Sequence, residues 1–226
     1  MSDSTFETPL EKLITAQRPP LSALDVVGES PLHHADLAGV AAKGPQAGGV
    51  HFYEQALLGL LTLRCAPSLV QQHEIATILG VALPMSPLTS TDNDDSAFGT
   101  LSVRWVGPDE WLISVPGDSA FELETHFFES LSGHFSLVNI SGGTTVFNVS
   151  GDHIVDMLKK SVPVDLHITV FPVEKVVSTL FAKSGVVMRR LGETHFELIV
   201  RRSFADYLWL WIQDASREFG LVVKSA

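Results

Sequence analysis

The 226-residue chain sets 15 Lys and Arg against 26 Asp and Glu, a formal net charge of −11. Nothing in that balance neutralises a run of phosphates, which speaks against nucleic-acid binding. A hydrophobic fraction of 45% supplies a sizeable core and argues against disorder, and a single cysteine, Cys65, excludes an intramolecular disulfide and any paired-cysteine metal site.

The lone thiol fits a reducing, cytoplasmic compartment. No basic region followed by an apolar core opens the chain, so no signal peptide is expected. The longest uncharged run, Ile75 to Thr91, is broken by Pro84 and Pro87 and is too short and irregular to span a bilayer. No membrane partner is therefore expected.

Residues 1–56 read as an irregular N-terminal arm. Pro9, Pro19, Pro20, Pro31 and Pro45, with Gly39, Gly44, Gly48 and Gly49, break any period there. One short helix is expected over Leu10 to Gln17. Two readings stand side by side: a solvated tail, or an arm that orders on a partner, for which Leu21, Leu24, Val26, Val27 and Leu37 would serve. The continuous apolar run Leu57 to Cys65 reads as a strand covered on both faces. Leu69 to Leu79 reads as a helix, started by Pro67-Ser68 and stopped by Gly80. Val81 to Ala97 is expected to be a loop. Its acidic cluster Asp92-Asn93-Asp94-Asp95 lacks the glycine and closing glutamate of a calcium loop, and a solvated loop is the better reading.

Arg104 to Ser114 is a hairpin by pattern. Val103, Trp105, Trp111 and Ile113 alternate on two short runs, and Gly107-Pro108-Asp109-Glu110 supplies the turn. A helix follows from Asp118 to Leu131, capped by Asp118 or Ser119, with Ala120, Leu123, Phe127 and Leu131 on its inner stripe. Phe135 to Ile140 is a strand. Ser141-Gly142-Gly143 is a permissive turn, or an anion cradle of backbone N–H groups. Thr144 to Val149 is a strand and Asp152 to Lys160 a helix. Strands Val176 to Phe181, Val186 to Leu191 and His195 to Arg201 come next, the last two joined at Gly192-Glu193-Thr194. A helix from Ser203 to Phe219 ends the pattern.

The strand–turn–strand–helix unit occurs twice, at an offset of 85 residues, the separation of Gly107 from Gly192. The same offset brings Trp111 onto Phe196, Ile113 onto Leu198, Val115 onto Val200, Ala120 onto Ala205 and Leu123 onto Leu208. A strand and a helix precede each copy. The expected fold is therefore α+β: two β-α-β-β-α halves related by a pseudo-twofold, about 57–141 and 142–226, with mostly antiparallel sheets packed against helices.

The final helix has more apolar surface than one core can take. Phe204, Leu208, Trp211, Ala215 and Phe219 share a face, while Tyr207, Trp209 and Leu210 point elsewhere. Trp209 and Trp211 lie about 200° apart at 3.6 residues per turn. The second side is expected to meet a partner protein, with Tyr207, Trp209, Trp211 and Arg202 as the interface residues.

Catalytic signatures are missing. There is no G-x-S-x-G elbow, no phosphate-binding G-x-x-x-x-G-K-[ST] loop and no dinucleotide fingerprint. Nine histidines form no metal-ligand spacing, and His33-His34 falls in the arm. Asp165 and His167 sit two apart on a loop without a third partner, which fits a local Asp turn. Cys65 fits a core thiol. No catalytic, cofactor-binding or metal-binding residue is assigned.

Three motifs carry a resemblance. Trp105-Val106-Gly107-Pro108-Asp109-Glu110-Trp111-Leu112 resembles the W-x-G-P-D-E-W-L signature of the gamma subunit of heterotetrameric sarcosine oxidase. Val162-Pro163-Val164-Asp165-Leu166-His167 with Phe171-Pro172 is similar to that family's P-x-D-L-H…F stretch. Arg202-Ser203-Phe204-Ala205-Asp206-Tyr207-Leu208 is similar to its R-S-F-A-x-Y-L helix opening. The chain departs from the family at Val173-Glu174, where a glycine usually follows Phe-Pro. The resemblance implies a fold like the folate-binding domain of aminomethyltransferase. It also implies a non-catalytic subunit of a complex that oxidises sarcosine with O2 and tetrahydrofolate. FAD, FMN, NAD, zinc and tetrahydrofolate would be held by other subunits. The alpha, beta and delta subunits would be the partners, alpha chiefly, with this chain beside the alpha-subunit folate domain. The alternative is a stand-alone folate-binding protein or one-carbon transferase, in which Asp165 or Glu110 would meet the pterin edge.

Overall fold

The computed structural model describes residues 28–224. The helix expected over Leu10 to Gln17, and Leu21 to Val27 of the arm, lie outside the described residues. In chain order the elements are α1 (Leu37–Lys43), β1 (Val50–Gln55), β2 (Gly59–Arg64), α2 (Leu69–Leu79), β3 (Ser90–Ser96), β4 (Gly99–Gly107), β5 (Glu110–Val115) and α3 (Ala120–Ser130). There follow β6 (Ser136–Asn139), β7 (Thr144–Ser150), α4 (Ile154–Lys159), β8 (Val176–Phe181), β9 (Ser184–Gly192), β10 (His195–Arg201), α5 (Ala205–Ala215) and β11 (Leu221–Val223).

The strands make two sheets, ordered β3-β4-β5-β2-β6 and β11-β1-β7-β10-β9-β8. Every ladder is antiparallel except that of β1 with β11. The alternation of each strand sorts its side chains between two layers. On the first sheet Leu61, Leu63, Val103, Trp111 and Ile113 face α2 and α3, packing on Ile75, Leu123 and Phe127. On the second, Phe52, Phe147, Phe196 and Leu198 face α4 and α5. The inner faces meet through Leu60, Leu112, Val146 and Ile199. The order of layers is helix, sheet, sheet, helix, which explains why β2 is apolar on both faces.

The duplication is visible in the burial. Trp111 and Phe196, Ile113 and Leu198, Val115 and Val200, and Leu123 and Leu208 are all fully buried. Both hairpins turn through two residues, Pro108-Asp109 and Glu193-Thr194, so the 85-residue offset holds through the turns. Each half carries more than the expected five elements, because β3 and β8 flank the hairpins and β6 and β11 follow the helices.

Local chemistry sets the ends of the elements. Ser68 and Gln71 form a reciprocal capping box at the start of α2, with both bonds at 3.2 Å. Gly80 ends that helix at φ 69°, a left-handed conformation that glycine adopts without a Cβ clash. Helix α3 is entered through a 3-10 turn over Gly117–Ser119, and neither Asp118 nor Ser119 supplies the expected side-chain cap.

Three expectations need correction. The arm does not run to residue 56: Val50, Phe52 and Glu54 alternate inward as β1, between β7 and β11. Leu32 also enters the core, and Glu54 accepts hydrogen bonds from Ser30 and from Thr145 Oγ1, the latter at 2.7 Å. Residues 90–96 are an edge strand rather than a loop, held by pairing with β4. The pairing overrides the low strand propensity of their Asp and Asn residues. Helix α5 stops at Ala215, four residues before Phe219.

Candidate partner interface

Helix α5 buries Ala205, Leu208, Trp209, Ile212 and Ala215, a stripe of helical period. That stripe differs from the expected one in which Phe204, Trp211 and Phe219 shared the inner face. Trp209 is 5% exposed and lies over Phe52, with ring centroids 4.7 Å apart. It is therefore not a partner residue: β1 fills the side of the helix that appeared open from the sequence. Trp211 is half-buried, packs against Tyr207 and donates its Nε1–H to Ser161 Oγ at 3.0 Å. Tyr207 is half-buried, and Phe204 and Leu210 are exposed.

Arg202 stands at the start of the same helix. Its Nη2 donates to the carbonyl of Glu29 at 3.1 Å. His34 Nε2 lies 2.7 Å from Asp206 Oδ1. These contacts bring the segment around Glu29–His34 against Arg202, Ser203, Gly142 and Gly143, around an open, shallow concavity of about 710 Å³. Three features that the sequence left separate, His33-His34, Ser141-Gly142-Gly143 and Arg202, thus share one surface. A Cβ added at Gly142 or Gly143 would meet nothing within 4 Å.

A polar layer lies between the sheets. Arg104, 1% exposed, donates through Nε and Nη2 to Glu197 Oε1 at 3.0 and 2.7 Å. Arg189 bonds Asp92. Arg104 and Arg189 are themselves separated by the 85-residue offset of the duplication, and each reaches a carboxylate of the other half. That offset was a usable sequence signal for the pair. Among the described residues, Arg104 Nη1 and Arg189 Nε are buried without a hydrogen-bond partner. Beside this layer, burial and then the charge of Glu197 push the Tyr53 hydroxyl above its ordinary range. Burial pushes His195 down, more than Glu197 offsets, and Lys224 adds to the depression.

The other candidate chemistry resolves into structure. Asp165 Oδ1 accepts the His167 N–H at 2.9 Å, a local Asp turn, and His167 Nδ1 lies 2.8 Å from Thr169 Oγ1. Glu110 lies in its hairpin 3.8 Å from Arg64. Cys65 is buried, and burial with Asp109 raises its thiol, which keeps it protonated. Asp92, from the acidic cluster, is occupied by Arg189, and Asn93 donates to the Leu79 carbonyl at 3.2 Å. Among the described residues no three His, Cys, Asp or Glu side chains converge to hold a metal. No helix there is long and apolar enough to cross a membrane. The Val162–Pro172 loop is pinned by Arg190, whose Nη1 donates to the carbonyls of Leu166 at 3.1 Å and Phe171 at 2.8 Å. No motif or period in the sequence marks this anchor.

The model of the sarcosine oxidase gamma subunit family matches residues 69–218, a span that includes all three motifs and both duplicated hairpins. The chain belongs to the sarcosine oxidase gamma subunit family. The sarcosine oxidase subunit gamma of Arthrobacter sp is 31% identical over 191 residues, covering 84% of this chain and 90% of the relative. That of Corynebacterium sp. strain P-1 is 31% identical over 194 residues, covering 85% and 92%. Among solved structures, a chain of the heterotetrameric sarcosine oxidase from Corynebacterium sp. U-96, in complex with pyrrole 2-carboxylate, matches with a TM-score of 0.71 at 27% identity. It covers 85% of this gamma-family chain and 96% of that one. Aminomethyltransferase T of the glycine cleavage system from Bartonella henselae matches with a TM-score of 0.59 at 13% identity, over 79% of this chain and 48% of that one, which shows a shared fold.

Proposed function

We propose that this chain is the gamma subunit of a heterotetrameric sarcosine oxidase and that its work is structural. The observation that carries the proposal is the match to a chain of the Corynebacterium assembly over nearly that chain's full length. In this reading the assembly converts sarcosine, O2 and tetrahydrofolate to glycine, 5,10-methylenetetrahydrofolate and H2O2. FAD, FMN, NAD, zinc and tetrahydrofolate are held on the alpha, beta and delta subunits. This chain docks chiefly on alpha, beside its folate domain. Tyr207, Trp211 and Arg202 belong to the docking surface, joined by the exposed Leu210 and Phe204. Asp165 accepts the His167 N–H in a local turn and Glu110 pairs with Arg64, structural roles that favour a subunit over a stand-alone folate-binding protein.

Native mass spectrometry of the tagged chain, purified from its source cells grown on sarcosine, tests this. The expected result is a stoichiometric assembly with three other subunits and bound flavin. Recovery of the chain alone, with folate bound, would overturn the reading in favour of a folate-binding protein or one-carbon transferase.

A further inference from the structure

The inner face of the second sheet is wider than the first sheet covers. Past the contact of Val146 and Ile199 with Leu60 and Leu112, it is left as a groove of about 790 Å³. Its floor is apolar, from Leu112, Val187 and Ile199. Leu180 and Phe204 line it while 50% and 41% exposed. Gly185, opposite Leu180 in the β8–β9 ladder, opens the centre: a Cβ added there would meet nothing within 4 Å, and its backbone is not left-handed.

The charge along this groove is opposite to that of the molecule. Among the described residues, Lys183 and Arg201 are the charged residues that line it, and no carboxylate does. Both are exposed, on a chain whose net charge is −11. Among the described residues neither forms an ion pair. Two uncompensated cations over an apolar floor are complementary to an apolar segment that carries acid groups. We propose that the groove receives such a segment from a partner subunit, its carboxylates held by Lys183 and Arg201. This rests on the subunit reading above.

The test uses the full chain co-expressed with the other subunits. Gly185→Leu fills the groove from a strand position that accepts a side chain. The double variant Lys183→Glu/Arg201→Glu reverses its charge, and Lys43→Glu, at the exposed end of α1 and outside the groove, is the control. Recovery in the assembly is expected to fall by about tenfold or more for the first two and to stay at the wild-type level for the control. A water-soluble carbodiimide applied to the wild-type assembly is expected to join Lys183 Nζ, as an amide, to an Asp or Glu within an apolar stretch of another subunit. Assembly of both groove variants at the wild-type level would overturn the proposal while leaving the subunit reading intact. So would a Lys183 cross-link to residues 1–27 of the same chain or to a second copy. Failure of the wild-type chain to assemble at all would overturn both.

Discussion

Glu197 shows how much one side chain can matter when it is buried between two sheets. Its carboxylate takes two hydrogen bonds from Arg104, and both side chains are nearly inaccessible. Removing one member leaves the other charge buried and unpaired, so Glu197→Ala is expected to cost about 3–5 kcal/mol in denaturant unfolding. The double replacement Arg104→Met/Glu197→Leu is expected to recover most of that, because an apolar pair of similar volume carries no desolvation cost. His195 gives a pH dependence. Its folded pKa is depressed, mainly by burial, so its contribution to stability is present above the unfolded value of about 6.5 and is lost as pH falls through the folded value. Denaturation midpoints should decline on acidification from neutral pH, and more gently in His195→Gln. Arg104 and Arg189 went unread in the sequence, although the offset of the repeat brings one onto the other. Glu197 had no such signal, because its partner lies 93 residues away in the other half and no local period connects them.

At the scale of elements, α5 and β1 explain each other. The sequence identified α5 as a helix with two apolar sides. It could not show that a strand from the region read as an arm would slide beneath one of them. Trp209→Ala should cost about 3–5 kcal/mol in the chain itself, as large-to-small changes in a packed core do. Trp211→Phe keeps the ring contact with Tyr207 and loses the bond to Ser161, for about 0.5–1.5 kcal/mol. Thermal unfolding of the two variants separates a core tryptophan from a rim one. Strand β3 was missed for a related reason. Its polar sequence carries no strand signal of its own, and its conformation comes from β4 and from the ion pair between Asp92 and Arg189. Propensity describes what a segment prefers alone, whereas these two segments are placed by neighbours distant in sequence.

For the molecule as a whole, the repeat predicted two halves and the structure shows where they differ. In the first half β6 pairs directly with β2. In the second, β1 is inserted between β7 and β11, the counterparts of β2 and β6. A chain starting at residue 57, the expected domain boundary, lacks that strand and Leu32, and leaves Phe147 and Trp209 without Phe52. Such a truncation is expected to be insoluble on expression, which size-exclusion chromatography of the supernatant would show. The helix–sheet–sheet–helix order could be anticipated from the doubly apolar β2, but the insertion could not, since no period marks a strand as belonging between two others.

The parallel ladder of β1 with β11 joins the first and last strands of the described residues: Val50 pairs with Leu221, and the Lys224 N–H reaches the Phe52 carbonyl at 2.8 Å. During synthesis the first half can complete its sheet while the ribosome is still at work, since all its strands are consecutive. The second sheet cannot. One edge of β1 stays bare until Val223 has left the exit tunnel, so a stop codon before β11 would release a nascent chain with an open apolar strand edge for chaperones or aggregation to claim.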